Sequence, residues 1–129
     1  MKLHSDYGRL NGFTPEAGRC REFFHQQARK YLVEVGTALA RVGVARVRIQ
    51  RLTASMGSSG GVCAEFRVPG QDAYLEVTVS TAAAVASRSD GVVISARRTG
   101  SAEPSHYFDA GLSSDELGRE LAGLVDLRI

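Results

Sequence analysis

The sequence predicts a two-layer α+β sandwich, with a long N-terminal helix and a C-terminal helix on the same face of a mainly antiparallel four- or five-stranded sheet. Three observations carry this. Apolar residues recur at spacings of three and four from Cys20 to Val42, which is the period of one helix face. Four segments between residues 44 and 98 then alternate apolar and polar side chains with period two. Finally, Ser113 and Glu116 form a capping box that opens a second helical stripe.

Residues 1–13 have no clean period and contain Gly8, Asn11 and Gly12, so an N-terminal arm is expected ahead of a single domain over 14–129. Thr14-Pro15-Glu16 reads as a helix start: Thr14 caps, Pro15 fits the first helical position, and Glu16 meets the positive helix end. Phe24, Ala28, Tyr31, Val35 and Leu39 continue the stripe, opposite a polar face of Arg19, Glu22, Gln26, Arg29, Lys30 and Glu34. Gly43 supplies a left-handed stop.

The first strand pattern, about 44–54, contains Ala45-Arg46-Val47-Arg48-Ile49-Gln50-Arg51. Strict alternation puts Arg46, Arg48 and Gln50 on one face and packs Val47 and Ile49 on the other. In the second pattern, about 61–68, Val62, Ala64, Phe66 and Val68 oppose Cys63, Glu65 and Arg67. In the third, about 73–80, Ala73, Leu75, Val77 and Val79 oppose Tyr74, Glu76, Thr78 and Ser80. Pro69-Gly70-Gln71-Asp72 between them is turn chemistry and predicts an antiparallel hairpin. Met56-Gly57-Ser58-Ser59-Gly60-Gly61 is expected to be a longer loop. The alanine-rich stretch from Thr81 to Ser89 is read as a helical turn, and Val92 to Arg98 as the fourth strand. His106-Tyr107-Phe108 is a short fifth strand by composition. The closing helix carries Leu117, Leu121, Leu124 and Val125, with Leu112 stapling its start.

Composition narrows function. A 129-residue chain with 43% hydrophobic and 23% charged residues can bury one core without metal or disulfide support. No segment reaches the ~18 apolar residues of a membrane span, and Met1-Lys2-Leu3-His4-Ser5-Asp6 is not followed by the apolar run of a signal peptide. A cytoplasmic location is the expectation. Cys20 and Cys63 sit at no metal spacing and read as reduced thiols. Residues 1–51 hold ten Lys or Arg against four Asp or Glu (+6), and residues 52–129 hold six against ten (−4). Two such halves attract each other within one compact domain.

No catalytic or cofactor fingerprint emerges. His4, His25 and His106 are far apart, so no metal is expected. Cys63 is mid-strand, with nothing that predictably lowers its pKa. The glycine-rich loop has no Lys-Ser or Lys-Thr and leads into a strand, unlike a phosphate-binding loop. No cofactor is called for, and the reading is of a non-enzyme.

The open sheet face is the candidate working surface, with Arg46, Arg48, Gln50, Arg67, Tyr74, Glu76 and Arg97 as partner-binding residues. Arginine forks suit carboxylate and phosphate alike. Nucleic-acid sheets combine net positive charge with stacking aromatics, whereas Glu65 and Glu76 make this face amphoteric. Cross-strand ion pairs are therefore expected here, and a mixed-charge protein surface, with an acidic partner as one option, fits the face better than a phosphate backbone.

The element order of long helix, three strands, helical piece, two strands and final helix resembles type III secretion chaperones of the dimeric, effector-binding class. This chain is more basic than the acidic habit of that family. The shorter order of helix, three strands and helix is similar to double-stranded RNA-binding domains, whose basic cluster at the final helix start is replaced here by Ser113-Ser114-Asp115-Glu116. In size the chain resembles compact inhibitors of phages and mobile elements, including anti-CRISPR proteins. The half-open sheet and the missing catalytic set lead to the expectation of a non-catalytic protein-binding module, a small chaperone, adaptor or inhibitor that docks a partner through its open sheet face or a sheet edge, as a monomer or homodimer. The alternative is a nucleic-acid-binding domain using the arginines of the sheet.

Overall fold

A computed structural model describes residues 15–52, 58–82, 92–100 and 102–127. The chain runs α1 (Pro15–Ala40), β1 (Ala45–Leu52), β2 (Ser58–Arg67), β3 (Tyr74–Ala82), β4 (Val93–Arg98), β5 (His106–Phe108) and α2 (Ser114–Leu124). The strands form one antiparallel sheet in the order β1-β2-β3-β4-β5, each pairing with the next. This is the α+β architecture that the hydrophobic periods predict. The arm at 1–13 and the cap Thr14 lie outside the described residues.

Both helices pack on one sheet face. Phe24, Ala28, Tyr31, Leu32, Val35 and Leu39 of α1 join Leu117, Leu121 and Ala122 of α2 in a single buried cluster. Its floor is Val62, Ala64 and Phe66 of β2, Leu75, Val77 and Val79 of β3, and Ile94 and Ala96 of β4. Each strand contributes alternate residues, as period two requires. Each fully buried Leu or Phe adds roughly 1.5–3 kcal/mol of transfer free energy. No helix among the described residues is long and apolar enough to cross a membrane.

Local chemistry sets the boundaries. After α1, Gly43 has φ of 85°, its N–H donates to Ala40 O at 3.1 Å, and the Val44 N–H donates to Leu39 O at 3.2 Å. These paired bonds satisfy carbonyls that the helix end would otherwise leave open. Between β2 and β3, Gly70 takes φ of 74° and the Gln71 N–H donates to Val68 O at 3.2 Å. Pro at the second turn position and Gly at the third is the type II pattern, so the expected hairpin forms. At α2, the Ser113 hydroxyl accepts from the Glu116 N–H at 3.1 Å, and the Glu116 carboxylate accepts from the Ser113 N–H at 3.4 Å. The Tyr31 hydroxyl donates to Leu112 O at 2.8 Å, tying α1 to the entry of α2.

Three expectations need correction. Ser58 to Gly60 belong to β2 and not to a loop, because the strand continues beyond a register shift between Ser58 and Gly61. Thr81 and Ala82 extend β3 rather than opening a helical turn, and the rest of the 81–89 expectation falls outside the described residues. The third correction lies in β1. Arg46 stands opposite Phe66 and Arg48 opposite Glu65, so Val47 is an extra, bulged residue. Val47 is accordingly 46% exposed rather than packed.

Candidate functional site: the open face of the sheet

The bulge re-sorts the arginines of β1. Directly opposed residues of an antiparallel pair share a face, so Arg46 opposite the buried Phe66 lies on the helix side. A Cβ on Gly36 of α1 would stand 3.9 Å from Arg46 Cδ, which places that arginine against the helix. Arg51, opposite Val62, is on the same side and donates to Glu22 of α1 at 2.7 Å. That ion pair holds the Glu22 carboxyl below its ordinary pKa. Arg48 alone of the β1 arginines stands on the open face. The expectation that Arg46 and Arg48 share a face is thus overturned, since one extra residue inverts every side chain on one side of it.

The open face is a set of cross-strand rows. Arg48, Glu65, Glu76 and Arg97 form one row across β1 to β4, with the two carboxylates at its centre. Arg48 grips Glu65 through Nε at 3.0 Å and Nη2 at 3.1 Å, a two-pronged guanidinium–carboxylate contact. This contact raises the Arg48 pKa above its ordinary value. Arg97 Nε donates to Glu76 at 3.2 Å. The opposed Glu65 and Glu76 would repel each other. A flanking arginine offsets each charge.

On one side of the ionic row lie Gln50, Cys63, Thr78, Ser95 and Tyr107, a neutral polar row across all five strands. Beyond it, Leu52, Gly61, Ser80 and Val93 make a more apolar row. Gly61 is required there, because a Cβ would collide with Val79 O and come within 2.8 Å of Ser80 Cβ. On the other side of the ionic row, Arg67 pairs with Tyr74, whose backbone bonds to Thr99. Because each row crosses the strands, the face grades along the strand direction from apolar through neutral to ionic.

The predicted residues divide cleanly. Arg48, Gln50, Arg67, Tyr74, Glu76 and Arg97 come together on the open face, and Arg46 does not. Tyr107, 56% exposed, joins it through the pairing of β5 with β4. The signal for it was the alternation in His106-Tyr107-Phe108, where Phe108 packs on the core. Cys63 is a free, buried thiol in the neutral row. Burial pushes its pKa up, against a hydrogen bond with Thr78 that lowers it. A thiol held protonated is a poor nucleophile. Among the described residues, no group of three or more His, Cys, Asp or Glu converges as a metal site.

No family model matches this chain, and neither a curated protein nor a solved structure does.

Proposed function

We propose that this protein is a non-catalytic protein-binding module, a small chaperone, adaptor or inhibitor whose open sheet face docks a partner. One observation carries the reading: both helices occupy the same side of a five-stranded sheet, and the other side bears a row of two ion pairs, with its carboxylates at the centre and its arginines outside, beside neutral and apolar rows. A protein surface can meet such a gradient with carboxylates, guanidiniums and aliphatic groups in register. A phosphate backbone fits poorly, because Glu65 and Glu76 already neutralise two of the face's arginines and would oppose further anions.

Fluorescence anisotropy with a single-stranded RNA and a duplex DNA, from 50 to 300 mM salt, tests this reading. The expected result is only weak, sequence-independent binding, on the order of 10 μM or weaker near physiological salt. Tight binding that falls steeply with salt and disappears in Arg48→Glu with Arg97→Glu would overturn it in favour of nucleic-acid recognition.

A further inference from the structure

We infer that the outer edge of β1 accepts an extended acidic segment of the partner protein as a sixth strand. This rests on the protein-binding reading above and adds the mode and chemistry of contact. Among the described residues, β1 is paired on one side only, to β2. At eight residues it is long enough to template another strand, whereas the opposite edge, β5, has three. An edge strand presents alternate backbone N–H and C=O groups outward, and main-chain pairing satisfies them whatever the partner's sequence.

Side chains along the edge define the partner. Ala45, Arg46, Val47, Arg48 and Arg51 are exposed, and β1 carries three arginines and no acid. Through the bulge, these cations are distributed on both faces of the strand, with Arg48 on the open side and Arg46 and Arg51 on the helix side. Among the described residues Arg46 makes no ion pair, and neither does Arg67 on the adjacent strand. An added strand with acids on both its faces would meet the unpaired Arg46 on the helix side and, on the open side, Arg48, which would exchange Glu65 for the incoming carboxylate. A second copy of the chain fits badly, because antiparallel pairing of β1 with itself sets arginine-bearing strands against each other. The bulge interrupts the edge near Val47, leaving 48–52 as the regular run on which pairing would centre.

Selection of a phage-displayed library of random twelve-residue peptides on the full chain, followed by amide hydrogen exchange with the selected peptides, tests the inference. The expected peptides are acidic and slow exchange at alternate amides within 48–52 by at least tenfold. They weaken at least tenfold when alternate backbone nitrogens are methylated, and similarly against Arg46→Glu with Arg48→Glu. The methylated peptides decide the question even if that double variant does not fold. No enrichment, peptides without acidic character, or unchanged β1 exchange would overturn it. Peptides that instead perturb Thr78 and Ser95 would refute the edge while leaving the open-face reading standing.

Discussion

Arg48 and Arg46, two residues apart in sequence, end on opposite sides of the sheet, and their surroundings differ accordingly. Arg48 is neutralised by a two-pronged contact to Glu65, whose side chain is only 12% exposed. Arg46 lies along α1 beside Gly36. The row containing Arg48 is thus closed on itself in the free protein and can open only by exchanging one carboxylate for another. Titration of two other buried groups gives a prediction at this scale. Burial raises the Cys63 thiol, and burial aided by Glu116 and Glu34 raises the Tyr31 phenol. Both hold their protons longer in the folded chain than in the unfolded one. Their contribution to stability is therefore present below the unfolded pKa values, about 8.5 and 10, and is lost as pH rises through the folded values. The thermal midpoint should fall above about pH 8.5. Cys63→Ala should flatten the first part of that fall and Tyr31→Phe the later part. Differential scanning calorimetry from pH 7 to 11 checks this, and identical slopes in all three proteins would contradict it.

At the scale of elements, α2 shows how closely the two helices approach. A Cβ on Gly118 would lie 2.9 Å from Ala38 Cβ of α1, whereas one on Gly123 would meet nothing within 4 Å. The same substitution in the same helix should therefore act with opposite sign. Gly118→Ala should destabilise by about 1–2 kcal/mol, overpacking outweighing the gain in helix propensity. Gly123→Ala should stabilise by roughly 0.5–1 kcal/mol. Ser113→Ala, which removes the cap, should cost about 1 kcal/mol. Urea denaturation measures all three.

These elements were also the most legible part of the sequence. A capping box, a Pro-Gly turn and period-two alternation are local signals, and each is read from a few adjacent residues. The bulge at Val47 was not legible, because Arg46 to Gln50 alternates straight through it. A bulge is a property of a strand pair, set by how β1 meets β2, and a single strand's pattern does not contain it. Most of the candidate face survived this error, since Gln50, Arg67, Tyr74, Glu76 and Arg97 lie where alternation puts them. Its ion pairs could be foreseen in kind, but their partners depend on register: Arg48 finds Glu65 only because the extra residue shifts it.

In the whole molecule, helices and core lie on one side, and a polar sheet surface graded along its strands lies on the other. The uneven charge of the two halves of the chain is partly resolved inside the fold, where Arg48 with Glu65 joins a residue of the basic half to one of the acidic half. Glu22 with Arg51, both in the basic half, ties α1 to β1. A surface whose charges are already matched selects partners by pattern more than by net charge.

The most direct measurement is site-specific photocrosslinking in the natural host, with a photoreactive residue placed at Thr78 in the centre of the open face and, separately, at Arg29 on the exposed side of α1. Discrete protein adducts from position 78, absent from position 29, are the expected result. Adducts to nucleic acid, equal labelling from both positions, or no adduct from position 78 would contradict the assignment of the open sheet face as a protein-docking surface.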